Sequence, residues 1–141
     1  MTEENNLTVT ELNKDDVVKI YSRKVVYAFS VLFAPIFGGV LLRQNLIDTK
    51  RKKEANIVLA FSIIFTVLTI IIVNSGVFEV RTSSLTFVLN LIWGAVLSEY
   101  FFKKYFPNSQ HYEYKKIWKA LLISVIIITP LILVIIYELT E

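Results

Sequence analysis

Few side chains in this chain of 141 residues are of the types that carry out chemistry. It has one histidine, His111, and no cysteine, so it offers neither a thiol nucleophile nor the usual ligand set of zinc. The sequence also lacks a glycine-rich phosphate loop and paired carboxylates within an apolar segment. We therefore expect a protein that is not an enzyme and that uses no metal and no cofactor.

Two polar residues stand out because they lie inside otherwise apolar stretches. Asn90 is the most polar residue deep in any of these stretches, and Glu99 is the one ionisable residue within them. Such groups are costly in a membrane and are candidates for function. Asn90 suits a hydrogen bond between helices, and Glu99 suits an ion pair with Lys103, four residues on. We expect these structural roles, with contact to a solute or ion as the alternative.

The stretches that contain these residues predict an all-α, membrane-spanning four-helix bundle. The chain is 55% apolar with a mean hydropathy of +0.57, and the apolar residues fall into four blocks. A helix of about 18 residues is roughly 27 Å long, close to the thickness of a bilayer core. We predict a disordered polar tail over residues 1–16 and one transmembrane domain over 17–141. Its predicted helices cover about 25–42, 55–74, 84–102 and 118–137.

The first block, which includes LFAPIFGGVLLRQN, has two interpretations because Pro35, Gly38 and Gly39 can interrupt a helix. If all four blocks cross the membrane, lysine and arginine divide 10 against 5 between the two sides, with both termini outside. If the first block is re-entrant, they divide 14 against 1. A turn at membrane depth, however, leaves backbone groups that need partners. We expect four full spans, with the re-entrant segment as the alternative.

Small and weakly polar residues recur at helical spacing within the blocks. In lipid, small residues allow close approach of helices, and hydroxyl groups can bond across the gap. We therefore expect these residues to form the inward faces of the bundle; the alternative is that they line a solute path in an oligomer. They are Ser30, Ala34, Gly38, Ser62, Thr66, Thr69, Thr86, Gly94 and Ser98.

The basic residues cluster between the blocks, which indicates membrane topology rather than binding to nucleic acid. The cluster after the first block is expected to contact anionic lipid headgroups. Before that block, residues 14–24 are compatible with a short amphipathic surface helix. The expected headgroup contacts are Lys50, Arg51, Lys52 and Lys53.

The runs YSRKVVYAFSVLFAPIFGGVLLRQNL and YFFKKYFPNSQHYEYKKIWKALLI resemble a family of small bacterial multi-pass membrane proteins. The resemblance covers residues 17–137. It implies location in the bacterial inner membrane, and it brings no established activity and no site residues.

The sequence thus predicts a small non-enzymatic membrane protein, a structural or accessory subunit. Its expected partners are the lipid bilayer and either a second copy or another membrane protein, joined by helix packing. The alternative is a small channel or transporter assembled as an oligomer.

Overall fold

A computed structural model describes residues 17–140, with the backbone alone for Gln110 and Leu131. The chain is predominantly helical. Two short strands, β1 (Lys19–Ile20) and β2 (Glu113–Tyr114), pair in parallel. The predicted disordered tail, residues 1–16, lies outside the described residues. The helices are α1 (Arg23–Leu32), α2 (Pro35–Asp48), α3 (Lys52–Asn74), α4 (Thr82–Tyr105) and α5 (Trp118–Thr140).

The first apolar block forms a helical hairpin, so the prediction of one helix over 25–42 is wrong. Pro35 explains the break, because proline has no amide hydrogen and its ring forces the preceding Ala34 into an extended conformation. The chain then reverses, and Asn45 near the end of α2 hydrogen-bonds to Tyr21, just before α1. The two limbs are therefore antiparallel. Gly38 and Gly39, which the sequence suggested as turn residues, lie inside α2.

Three helices, α3, α4 and α5, are long and apolar enough to cross a membrane. With 23 or 24 residues each, they are about 35 Å long. The hairpin limbs have 10 and 14 residues, so they are about 15 Å and 21 Å long, shorter than a bilayer core. Within α4, the segment Val96–Phe102, directly before Lys103, is π-helical. The sequence did not predict this segment.

The core lies at the end of the molecule where most lysine and arginine residues gather, which we call the charged end. There the hairpin packs between α3 and α4. Leu42 and Leu46 of α2, Val58 of α3, and Leu97 and Phe102 of α4 are almost completely buried there. The last helix is different. Among its described side chains, those of Ala120 and Ser124 are the buried ones.

The segment before α1 is extended, which corrects the predicted amphipathic helix over residues 14–24 for its described part. Lys19 lies opposite Glu113 and Ile20 opposite Tyr114 in the strand pair. The carbonyl of Ile20 also accepts a hydrogen bond from the amide of Lys115, at 2.8 Å. Ile20 is completely buried in this arrangement. A buried apolar side chain and paired backbone groups favour the strand over a helix on the membrane surface.

Candidate functional site at the charged end of the hairpin

Contact between the two limbs of the hairpin depends on Gly38. A Cβ atom at this position would lie 2.7 Å from the carbonyl oxygen of Val26 and would overlap the hydroxyl of Ser30. That hydroxyl donates to the same Val26 carbonyl, at 2.8 Å. The α2 backbone at Gly38 therefore packs directly against the Ser30 side chain and the backbone of α1.

The hairpin contacts its neighbouring helices through two more glycines. A Cβ atom on Gly39 would overlap the Ser62 side chain of α3. A Cβ atom on Gly94 of α4 would lie 3.1 Å from the Ser30 Cβ atom. Close approach through small residues is how helices associate in lipid, and here the same device fixes the hairpin between two long helices. Gly39 was not among the packing residues proposed from the sequence.

The packing candidates from the sequence differ in burial. Ala34, Thr66 and Thr86 are only partly buried. The prediction that the hydroxyls of the candidates donate across the gap between helices is wrong, because all six hydroxyls among these candidates donate to carbonyls of their own helices. The candidates that lie buried are Ser30, Gly38, Ser62, Thr69, Gly94 and Ser98.

Thr69 takes part in a bond between helices, and its partner is a residue that the sequence did not indicate. The indole nitrogen of Trp93 donates to the Thr69 hydroxyl at 3.1 Å, which links α4 to α3. The Trp93 ring also stacks on Phe65, with centroids 4.4 Å apart. A tryptophan one residue before Gly94 was the available signal, since its ring nitrogen needs an acceptor when buried.

Asn90 lies at the tip of the hairpin, where α1 ends. Its side chain is buried, and its amide nitrogen donates to the carbonyl of Val31 at 3.5 Å, a long hydrogen bond. Carbonyls in the last turn of a helix have no partner within that helix. The contact therefore gives a partner to a backbone group that the break in the first block leaves free.

Glu99 joins the start of α1 to the end of α4. One carboxylate oxygen lies 2.9 Å from a guanidinium nitrogen of Arg23, and the other pairs with Lys103. The sequence predicted the pair with Lys103, four residues on. The pair with Arg23 was not predicted and depends on the position of the hairpin. The carboxylate is about half exposed and lies in the π-helical segment of α4.

Further polar contacts gather at the same end of the molecule. Lys115 pairs with Asp48 at the end of α2. The guanidinium of Arg51 donates to the carbonyl of Tyr105 at 2.6 Å and thus caps the last turn of α4. All four predicted headgroup contacts are exposed, but Arg51 is also held by this bond within the protein, unlike the other three. Those three are Lys50, Lys52 and Lys53.

Asn45 is a further residue that the sequence did not single out. Its side chain is completely buried and makes two hydrogen bonds to Tyr21. Its oxygen accepts from the Tyr21 amide at 2.7 Å, and its nitrogen donates to the Tyr21 carbonyl at 2.9 Å. It therefore closes the hairpin at its base. The available signal was its position seven residues after Gly38, on the same helix face.

Several cavities formed by the described residues border this region. One of about 310 Å³ lies between α1 and α4 and is lined by Tyr27, Ser98 and Glu99. A second, of about 670 Å³, lies between the start of α1 and the segment after α4. The third is an apolar groove of about 480 Å³ between α2 and α5. In residues 17–140, no group of three or more histidine, aspartate or glutamate side chains is placed to hold a metal ion.

Comparison of the chain with protein-family models, curated proteins and solved structures finds no match in any of the three. The resemblance proposed for residues 17–137 stays an expectation.

Proposed function

We propose that this chain is a small non-enzymatic integral membrane protein of the bacterial inner membrane that acts as an accessory subunit. In this proposal α3, α4 and α5 cross the bilayer, and the α1–α2 hairpin enters it from the cytoplasmic side and returns. The hairpin, α3 and α4 form the scaffold. The last helix, α5, packs against a transmembrane helix of a second copy or of another membrane protein.

The observation that carries this proposal is the near absence of packing around α5. Of its described side chains, Ala120 and Ser124, both near its start, are buried against the rest of the chain. Bulky apolar side chains beyond them are exposed; Ile126, for example, is 68% exposed. A helix with so little intramolecular packing is available to pack against another helix in the membrane.

Two features support the re-entrant placement of the hairpin. Ion pairs tie the segment before α1 and the end of α2 to the segment after α4, so all three belong on one side of the membrane. At the opposite end, Arg81 is the one lysine or arginine among the described residues, which agrees with a basic cytoplasmic side. The Asn90 contact with Val31 also lowers the cost of ending α1 at membrane depth.

Side-specific labelling tests this topology. Because the chain has no cysteine, single cysteines at Asn6, Ser75 and Asn108 can be labelled with an impermeant maleimide in intact and then lysed cells. We expect Ser75→Cys to label from outside, and Asn6→Cys and Asn108→Cys to label only after lysis. Labelling of Asn6→Cys from outside would show that the first block crosses the bilayer.

Photocrosslinking tests the accessory role. A photoreactive residue in place of Ile126 or Leu133, both exposed on α5, should give discrete crosslinked products in native membranes. The same residue in place of buried Ser124 should crosslink within the chain. The purified protein in liposomes then separates the partners, since products that persist there are between copies. If Ile126 and Leu133 crosslink to lipid alone in both settings, the accessory role is wrong.

The competing proposal is a channel or transporter assembled from several copies. It finds less support, because the small polar side chains are used for packing and bond mainly to carbonyls of their own helices. In an ion-flux assay with reconstituted protein, a channel predicts that Asn90→Leu abolishes flux without changing assembly. The accessory role predicts no flux for the unsubstituted protein or for Asn90→Leu.

A further inference from the structure

The cavity of about 670 Å³ at the charged end of the molecule has the features of an anion site. It is bordered by polar and charged side chains from the start of α1, the end of α4 and the following loop. We call it the basic cleft. Its polar border consists of Ser22, Arg23, Lys24, Lys103 and Ser109.

The charge of the basic cleft is positive even after its internal ion pairs are counted. Arg23 and Lys103 share one carboxylate, that of Glu99. Lys24 is exposed at the cleft and has no ion pair among the described residues. Three cations and one anion leave a net charge of about +2, which favours an anionic ligand over a neutral or cationic one.

Uncharged hydrogen-bond donors lie at the same place. The hydroxyl oxygen of Ser22 accepts from the amide of Val25, and its hydrogen stays available to a ligand. The amides of Arg23 and Lys24 open α1, where the helix itself supplies no acceptor. A helix N-terminus adds a partial positive charge, so cations and backbone donors act together on a phosphate group.

The rest of the border is apolar and aromatic: Pro107 and Tyr114 are exposed there and lie over the buried rings of Phe102 and Phe106. Tyrosine side chains prefer the depth of the lipid headgroups, beside the hydrocarbon. A free phosphate ion makes no favourable contact with such a surface, whereas the glycerol group and the first acyl carbons of a phospholipid can pack against it. This composition favours a lipid as the source of the phosphate.

We propose that the basic cleft binds the phosphate of an anionic phospholipid headgroup. Lys24 and Arg23 would contact the phosphate oxygens, the start of α1 would donate to them, and the exposed Pro107 and Tyr114 would contact the glycerol region. The proposal rests on the proposed membrane insertion, and it adds a specific lipid site to the general attraction expected of the Lys50–Lys53 cluster.

Titration of the full chain in mild detergent tests the site. Phosphatidylglycerol and phosphatidylcholine with the same acyl chains are added in separate titrations, and bound lipid is counted by native mass spectrometry. Lys24→Gln should lower the preference for phosphatidylglycerol about fivefold, the effect of one charge near an anionic lipid. The matched control is Lys116→Gln, an exposed lysine that does not border the cleft, which should leave the preference unchanged.

The outcomes are distinct. An unchanged preference in Lys24→Gln, or an equal loss in Lys116→Gln, overturns the site. If inorganic phosphate displaces phosphatidylglycerol at similar concentrations, the ligand is a soluble phosphate and the lipid assignment is wrong. Resistance of the protein to alkaline extraction from membranes is measured separately. Extraction by alkali would overturn the proposed membrane insertion, while the titration in detergent still reports on the cleft.

Discussion

The hairpin core and the last helix, α5, differ in how closely their apolar helices pack against the rest of the chain. In the core, Gly38, Gly39 and Gly94 bring backbones and serine side chains into direct contact. In α5, long runs of isoleucine, leucine and valine point away from the rest of the chain. The core thus has specific contacts that define one arrangement, whereas α5 is fixed mainly near its start.

This difference follows from the physics of lipid as a solvent. Water drives isoleucine and leucine together, but hydrocarbon does not, since lipid tails are as apolar as these side chains. Helix association therefore needs close packing or hydrogen bonds. The core has both, and α5 past Ser124 has few of the small residues that would allow either within the chain.

Filling the contact between the two limbs of the hairpin should reduce stability the most. Gly38→Leu should destabilise the fold by about 3 kcal/mol, because its side chain meets the Val26 carbonyl and Ser30. The matched change in the last helix is Thr129→Leu, at an exposed position, which should cost less than about 1 kcal/mol. Unfolding in mixed micelles with increasing denaturing detergent measures both. Equal losses would contradict the contrast between core and α5.

The next effect tests the tip of the hairpin. Asn90→Leu should cost about 1.5 kcal/mol, because the carbonyl of Val31 loses its partner in a buried place. Asn74→Leu is the control, since Asn74 is exposed and bonds only to its own helix. Hydrogen exchange at Phe33 and neighbouring amides should rise in Asn90→Leu and not in Asn74→Leu. Similar exchange in both variants would show that Asn90 does not support the tip.

A smaller loss of stability is expected on substitution of Trp93, with Trp118 as the comparison. Trp93→Phe keeps the stacking on Phe65 but removes the bond to Thr69, so it should cost about 0.6 kcal/mol. Trp118→Phe, at the exposed start of α5, should change stability by less than that. The same detergent titration measures both variants. A larger loss for Trp118→Phe would mean that α5 is anchored to the core more firmly than its exposure indicates.

The smallest expected effect is a gain. Lys50 follows α2 with a φ of 62°, a left-handed conformation that glycine adopts more easily. Lys50→Gly should stabilise the hairpin core by about 0.5 kcal/mol after the greater backbone freedom of glycine is allowed for. Lys53→Gly, in the first turn of α3, should instead destabilise, by less than the roughly 0.8 kcal/mol that glycine costs in a helix interior. A loss of stability in Lys50→Gly would mean that the lysine side chain is more important there than the backbone.

The sequence predicted the helical character of the chain and the location of three long apolar helices, because runs of apolar residues report directly on length and hydropathy. It also indicated that Pro35 could interrupt the first block. It predicted the pairing of Glu99 with Lys103, because that pair depends only on helical spacing.

The contacts between distant parts of the chain could not be predicted from the sequence and depend on the tertiary structure. The same proline is compatible with a kink or with a reversal. Reversal is favoured by the close fit of Gly38 on Ser30 and by the two bonds of Asn45 to Tyr21. The partners of Asn90 and Glu99 across helices depend on that reversal, and so does the basic cleft. Local sequence sets which segments are apolar helices, but the direction of each limb depends on complementary shapes and backbone partners far apart in the chain.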